Sequence, residues 1–179
     1  MNQGSSVLLC LDSGTTVVKA AAFDRQGRMV ASGEQSNGAL RRDGVHVEQD
    51  MALTRDDAFA VLKRCVDEVR TAIDGILVTG QGDGLWAIDM HGEPVGPAFT
   101  WLDGRTRALV ASLEEAGDLE PIRRVTGSRP TTATQSLQLL WLVQRDPERL
   151  ARIARAMRLK EWLFYSLTGD IIAEPSSVL

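Results

Sequence analysis

The chain has 179 residues, enough to bury a sizeable core in one large domain or two small ones. Hydrophobic residues make up 44% and charged residues 25%, the proportions of an ordinary globular protein. A net charge of −4 and a pI of about 5.2 give no electrostatic footprint for nucleic acid or an anionic membrane surface. A site for an anionic ligand would have to be built locally, from backbone amides, a few basic side chains and a metal ion.

The first residues, Met1 to Ser6, carry no basic segment, and the apolar run after them ends at Asp12. That is too short for a signal peptide's core and cleavage site, and far too short to span a bilayer, so the reading is a cytoplasmic protein. Of the two cysteines, Cys10 lies in an apolar run and Cys65 in a helical pattern. Both read as small buried apolar residues in a reducing compartment. His46 and His91 are far apart and neither is near a cysteine, so no metal-ligand spacing is present.

In chain order, Val7 to Leu11 is a continuous apolar run, as expected for a strand buried on both faces. Asp12-Ser13-Gly14-Thr15-Thr16 is a cluster of turn formers, and Val17 to Phe23 resumes as a strand. Asp24-Arg25-Gln26-Gly27 predicts a hairpin turn into a third strand from Met29 to Gln35, completing an antiparallel meander. Residues 36 to 53 read as polar and irregular. Thr54, followed by Asp56 and Asp57, reads as the N-cap of a helix running to about Ala72, with Phe59, Val61, Leu62, Cys65, Val66 and Val69 at helical spacing. Short strands are predicted at Gly75 to Thr79 and Leu85 to Ile88, with the turn cluster Gly80 to Gly84 joining them and another turn at Asp89 to Gly92.

From Thr106 the pattern becomes helical. Arg107 to Glu115, Leu119 to Val125 ended at Gly127, Gln135 to Gln144, a helix opening at Pro147, and Leu159 to Leu167 stopped by Gly169 are the candidates. Trp141 and Trp162 read as core, while Glu114-Glu115 and the arginines from Arg145 to Arg158 read as solvated faces. The order implies an α/β core with a helical elaboration.

Three constellations can carry chemistry. In the first, a tight turn at Gly14 frees backbone amides for an anion, Thr15 and Thr16 add hydroxyls, Lys19 adds a positive charge, and Asp12 can hold a hydrated Mg²⁺. An ordinary hairpin turn uses the same residue types. In the second, Gly80-Gln81-Gly82-Asp83-Gly84 alternates an open backbone with two polar side chains. Gln81 can donate and accept, and Asp83 can accept from hydroxyls, a mixture suited to a polyhydroxylated ligand. A glycine-rich connection between strands is the plain alternative. In the third, Trp101 offers a flat apolar face, and Asp103 and Arg105 can either serve hydroxyls or pair with each other. Taken alone, that segment reads as a core tryptophan followed by a surface ion pair.

Together these residues resemble the FGGY carbohydrate kinases of the actin-like ATPase superfamily. Asp12-Ser13-Gly14-Thr15-Thr16 with Lys19 is similar to the family's first phosphate motif, and His46-Val47-Glu48-Gln49-Asp50 to its Glu-Gln-Asp segment. Gly80 to Gly84 stands where the family has a Gly-Gln-x-x-Gly sugar loop, and Trp101-Leu102-Asp103-Gly104-Arg105 matches its Trp-x-Asp-x-Arg segment. Lys160-Glu161-Trp162-Leu163 with Leu167-Thr168-Gly169-Asp170 resembles its last helix and turn of this region.

The resemblance implies a ribonuclease-H-like mixed sheet flanked by helices, and transfer of the ATP γ-phosphoryl group to a sugar or polyol hydroxyl with Mg²⁺. It implies Asp12 near the metal and the attacking hydroxyl, and Gly14, Thr15, Thr16 and Lys19 near the phosphates. Gln81, Gly82, Asp83, Trp101 and Asp103 would line the sugar pocket. Asp83 stands where xylulokinases usually carry histidine, and the Arg-Glu pair of glycerol kinases is missing, which leans toward the L-xylulose or erythritol kinase branch. The resemblance covers residues 1–179 as a partial N-terminal domain. The general base and the nucleotide-clamping domain would lie outside it, leaving the fragment inactive alone. The partner is a small-molecule sugar or polyol, with neither nucleic acid nor membrane, and a homodimer is expected only of the full-length protein. Non-kinase actin-like ATPases and non-catalytic sugar-binding domains are the competing readings, with the sugar loop as the discriminating feature.

Overall fold

The computed structural model describes residues 6–175. Nine strands and six helices follow one another there: β1 (Ser6–Ser13), β2 (Val17–Asp24), β3 (Met29–Ser36), β4 (Leu40–Asp43), β5 (His46–Gln49), α1 (Met51–Glu68), β6 (Ala72–Gly80), β7 (Gly84–Ile88), β8 (Ala98–Thr100), α2 (Arg107–Glu115), α3 (Leu119–Thr126), α4 (Gln135–Arg145), α5 (Pro147–Arg152), β9 (Arg155–Met157) and α6 (Leu159–Thr168). They form two compact units, one of residues up to Ala39 with Ala52–Gly80, the other of Leu40–Met51 with residues from Gln81 onward. Among the described residues no helix is long and apolar enough to cross a membrane.

The first unit holds a mixed sheet of order β3-β2-β1-β6, with antiparallel pairing along the meander and a parallel pairing of β1 with β6. Period-two patterning puts Val7, Leu9 and Leu11 of β1 and Val18, Ala20 and Ala22 of β2 on one buried face. Helix α1 covers that face with Ala58, Val61, Leu62 and Cys65, all buried. The helix packs near Gly33 of β3, where a Cβ would meet Val61 Cγ1 at an ordinary contact distance of 3.8 Å. The other face is not buried as the unbroken apolar run of β1 predicts, since Leu8 is 45% exposed. Strand β6, at the sheet edge, likewise exposes Ile73, Ile76 and Leu77.

Helix α1 begins at Met51, not Thr54, and ends at Glu68, where the expected helix would continue to Ala72. Asp50 stands at the N-cap position, and Thr54 is buried in the first turn. Ala72 instead opens β6, whose parallel register with β1 starts at Ser6↔Ala72.

The second unit carries a five-stranded sheet of order β4-β5-β8-β7-β9, antiparallel throughout. Residues 40 to 49, expected to be irregular, form the β4–β5 hairpin, and β8 and β9 are short strands with no expectation behind them. Leu85, Ala87, Val95, Phe99 and Leu142 form its core, with Leu139, Trp141, Leu150 and Ile153 packed against them. Gly84 is required where β7 meets β8: its φ is 114°, and a Cβ would come 2.5 Å from the Phe99 carbonyl oxygen. The helices follow the sequence closely, with α3 and α6 ending at left-handed Gly127 and Gly169. Trp162 is core as expected and donates through Nε1 to the Met51 carbonyl at 3.1 Å. The arginine run is not uniformly solvated. Arg149 is buried, donates to the carbonyls of Val95 and Pro97, and holds its guanidinium 4.4 Å from the Phe99 ring centroid. Arg158 is buried as well.

Candidate active site

In the first unit the turn after β1 is closed by the Gly14 amide donating to the Val17 carbonyl at 2.9 Å. A Cβ on Gly14 would lie 2.7 Å from that oxygen, so the position needs glycine for closeness of approach. Its amide is thereby used inside the turn, and the donors for an anion fall to the following residues. Asn37 braces the loop from the end of β3: its side-chain amide donates to the Gly14 carbonyl at 2.9 Å and its backbone amide to the Thr16 carbonyl at 2.8 Å. Nothing in the sequence singles out Asn37, because its partners are backbone atoms 21 and 23 residues away.

Asp12 lies at the end of β1 on the face away from α1, directly opposite Lys19 in the β1–β2 register, and Lys19 lies opposite Glu34 of β3. All three are exposed. Lys19 Nζ stands 3.9 Å from Glu34 Oε2, an exposed pair worth little by itself. Asp12 has no ion-pair partner among the described residues, so its hard oxygen atoms are open to a hydrated Mg²⁺, which binds through one or two carboxylates, waters and phosphate oxygens. Thr16 is exposed and Thr15 half-buried beside it. These side chains suit a magnesium-bound polyphosphate.

In the second unit Gln81 is 8% exposed, and its Nε2 donates to Oε1 of fully buried Gln49 at 2.5 Å. Gln81 Oε1 is buried with no hydrogen-bond partner among the described residues. Gly82 and Asp83 are exposed, and a Cβ on Gly82 would meet nothing within 4 Å.

For Asp103 the sequence leaves two roles open, serving hydroxyls or pairing with Arg105, and the geometry takes the second. Its carboxylate is fully buried. Oδ1 accepts from the Arg105 backbone amide at 2.9 Å and from Arg105 Nε at 2.8 Å. Oδ2 accepts from the Val47 amide at 2.8 Å and from an Arg105 terminal nitrogen at 2.9 Å. Four donors fill the four lone-pair sites of a carboxylate, leaving none for a ligand. Arg105, its side chain 5% exposed, also donates to Glu48 Oε1 at 2.5 Å and lies 3.5 Å over the Phe99 ring. Burial pulls the guanidinium's pKa down, but its hydrogen bonds to Asp103 and Glu48 outweigh this and hold it above the ordinary value. The expectation of a core tryptophan beside a surface ion pair is thus reversed: Trp101 is 48% exposed and the ion pair is buried.

Glu48 and Gln49, which the sequence marks only as part of a segment before the helix, therefore support the other two constellations of this unit. Glu48 holds Arg105, and Gln49 holds Gln81. The last motif is structural: Glu161 Oε2 accepts from the Arg158 amide at 2.7 Å as part of a capping box, and its Oε1 accepts from the Glu174 amide at 3.0 Å.

A three-stranded meander joined in parallel to a fourth strand is the ribonuclease-H-like sheet of the actin-like ATPases. The FGGY family of carbohydrate kinases, N-terminal domain, matches residues 7–178, and the chain belongs to that family. The erythritol kinase of Brucella abortus is 35% identical over an alignment of 182 positions that covers 98% of this chain and 34% of that protein. The probable L-xylulose kinase of Pasteurella multocida is 27% identical over an alignment of 173 positions that covers 95% of this chain and 36% of that protein. The crystal structure of gluconate kinase from Lactobacillus acidophilus matches with a TM-score of 0.88 at 23% identity, covering 93% of this chain and 34% of that one, a likeness of fold. The chain thus spans about a third of the length of the curated relatives it matches.

Proposed function

We propose that the protein carrying this domain transfers the γ-phosphoryl group of ATP to a hydroxyl of a small polyol or ketose of the erythritol or L-xylulose kind. The observation that carries the reading is the Gln81–Asp83 loop. It pairs an exposed carboxylate with a buried amide that keeps one acceptor unused, the chemistry of hydroxyl recognition. The 35% identity to an erythritol kinase and the absence of a histidine at Asp83 support the same substrate class. Asp83 accepts from substrate hydroxyls, and Trp101 lays its exposed face against the C–H surface of the carbon chain. Asp103 acts at one remove, by fixing Arg105.

Asp12 would hold a hydrated Mg²⁺, and Thr15, Thr16 and Lys19 would face the phosphates. When bound, the metal neutralises charge developing on the phosphoryl oxygens. The protein's own share is to orient the hydroxyl and exclude water. By this reading the general base and the second half of the nucleotide clamp belong to the two thirds of the relatives' length that these 179 residues do not span, and the domain alone binds without turning over. A reaction that draws on ATP is in keeping with a cytoplasmic protein.

The test is ADP release by the full-length protein with a panel of tetritols, pentitols, pentuloses and glycerol. Turnover on one member, abolished in Asp12→Ala, is the expected result. Silence across the panel with ATP binding intact would refute the kinase reading in favour of a non-kinase member of the superfamily.

A further inference from the structure

The pairing of Gln49 with Gln81 fixes more than packing. Gln49 sits on β5 between two neighbours, opposite Leu40 of β4 and Ala98 of β8, so its backbone is held on both sides. Its side chain is fully buried and presents Oε1 to Gln81 Nε2 at 2.5 Å. A primary amide has one donor end and one acceptor end, which point apart within the plane of the group. Committing Nε2 of Gln81 to Gln49 therefore decides what the other end offers. That end is Oε1, buried, an acceptor with no partner among the described residues, in a side chain only 8% exposed. Buried polar atoms are nearly always paired, and this one, at the base of an exposed loop, is left without a partner among the described residues. Gly82 and Asp83, next along the chain, are exposed, and a Cβ on Gly82 would meet open space.

We propose that Gln49 is a positioning residue that locks the Gln81 amide with its carbonyl toward the ligand, so that this point of the Gln81–Asp83 loop accepts a hydroxyl and rejects a group that can only accept. The ligand class that follows is a polyol with a free hydroxyl at the carbon nearest Gln81. An analogue carrying a carbonyl or an ether oxygen at that carbon sets two acceptors against each other. The inference rests on the proposed function and sharpens its substrate class. It also makes the second residue of the Glu48-Gln49-Asp50 segment a determinant of specificity without its touching the substrate.

Two variants of the full-length protein separate this role from a merely structural one. Gln49→Met keeps the volume and removes the acceptor, freeing the Gln81 amide to turn over. Gln49→Glu keeps an acceptor in either protonation state and can receive the same hydrogen bond. The KM for the preferred polyol is expected to rise about tenfold in Gln49→Met, the worth of one hydrogen bond to a neutral group, with kcat and the KM for ATP little changed. Gln49→Glu is expected to stay near the wild type. An NMR readout is independent of turnover: the Gln81 side-chain amide protons, assigned through Gln81→Glu, should exchange slowly in the wild type and in Gln49→Glu and quickly in Gln49→Met. Fast exchange of those protons in the wild type, an unchanged polyol KM in Gln49→Met, or a folded Gln49→Glu as impaired as Gln49→Met would each overturn the proposal. A wild type with protected Gln81 protons and no turnover on any polyol would sink the kinase reading and leave the amide lock standing.

Discussion

Replacing Asp103 by asparagine separates a structural carboxylate from a ligand-binding one. The two side chains are nearly isosteric, so no cavity opens, and the change falls on charge and hydrogen bonding. Asp103 is fully buried and accepts four hydrogen bonds, three of them from Arg105. In Asp103→Asn one oxygen becomes an NH2 group that meets an existing donor, either the Val47 amide or the Arg105 fork. Removing one partner of a buried ion pair costs about 3–5 kcal/mol. Arg105 keeps Glu48, whose side chain is 25% exposed, so the lower end applies. About 3 kcal/mol in a chain of this length corresponds to a fall in Tm of roughly 6–12 °C. Thermal unfolding followed by circular dichroism measures it, and polyol affinity measured well below the transition should change little. A Tm within about 2 °C of the wild type, combined with polyol binding weakened more than about tenfold, would show that Asp103 meets the ligand directly and that the structural assignment is wrong.

Two further outcomes follow from the same geometry. Gly84→Ala should destabilise by about 3 kcal/mol or more, read as a lower urea midpoint at unchanged slope, because the new Cβ combines a positive φ with a backbone oxygen 2.5 Å away. Iodoacetamide should label Cys10 in the native protein and spare Cys65 until unfolding, since Cys65 is fully buried and its thiol pKa is pushed up first by burial and then by the charge of Glu68.

The meander and the helices from α2 onward are legible because their signals are local. Alternating apolar residues, Pro147 at a first turn, and Gly127 and Gly169 at helix ends each act within a few residues. The β4–β5 hairpin is not legible. Leu40–Asp43 and His46–Gln49 are polar four-residue segments, and in β5 only Val47 and Gln49 are buried. They are strands because β8 pairs with β5, a partner some 50 residues away. The helix start at Met51 is hidden for a related reason: Thr54 and the acids after it make a convincing N-cap, and only the strand ending at Gln49 shows that the helix has begun earlier.

The same division runs through the candidate site. The sequence alone marked the candidate residues: the Asp12–Lys19 turn, the Gln81–Asp83 loop, and Trp101 with Asp103 and Arg105. Residue types and glycine spacing are properties of a short stretch of chain. Tertiary structure decided what each of them can offer. It spent the Gly14 amide inside its own turn, brought Asn37 to brace that turn, filled every lone pair of Asp103, left Trp101 exposed, and turned the Gln81 amide by pairing it with Gln49. Whether a polar group is available to a ligand depends on which donors and acceptors the fold sets beside it, and those come from strands far apart in the chain.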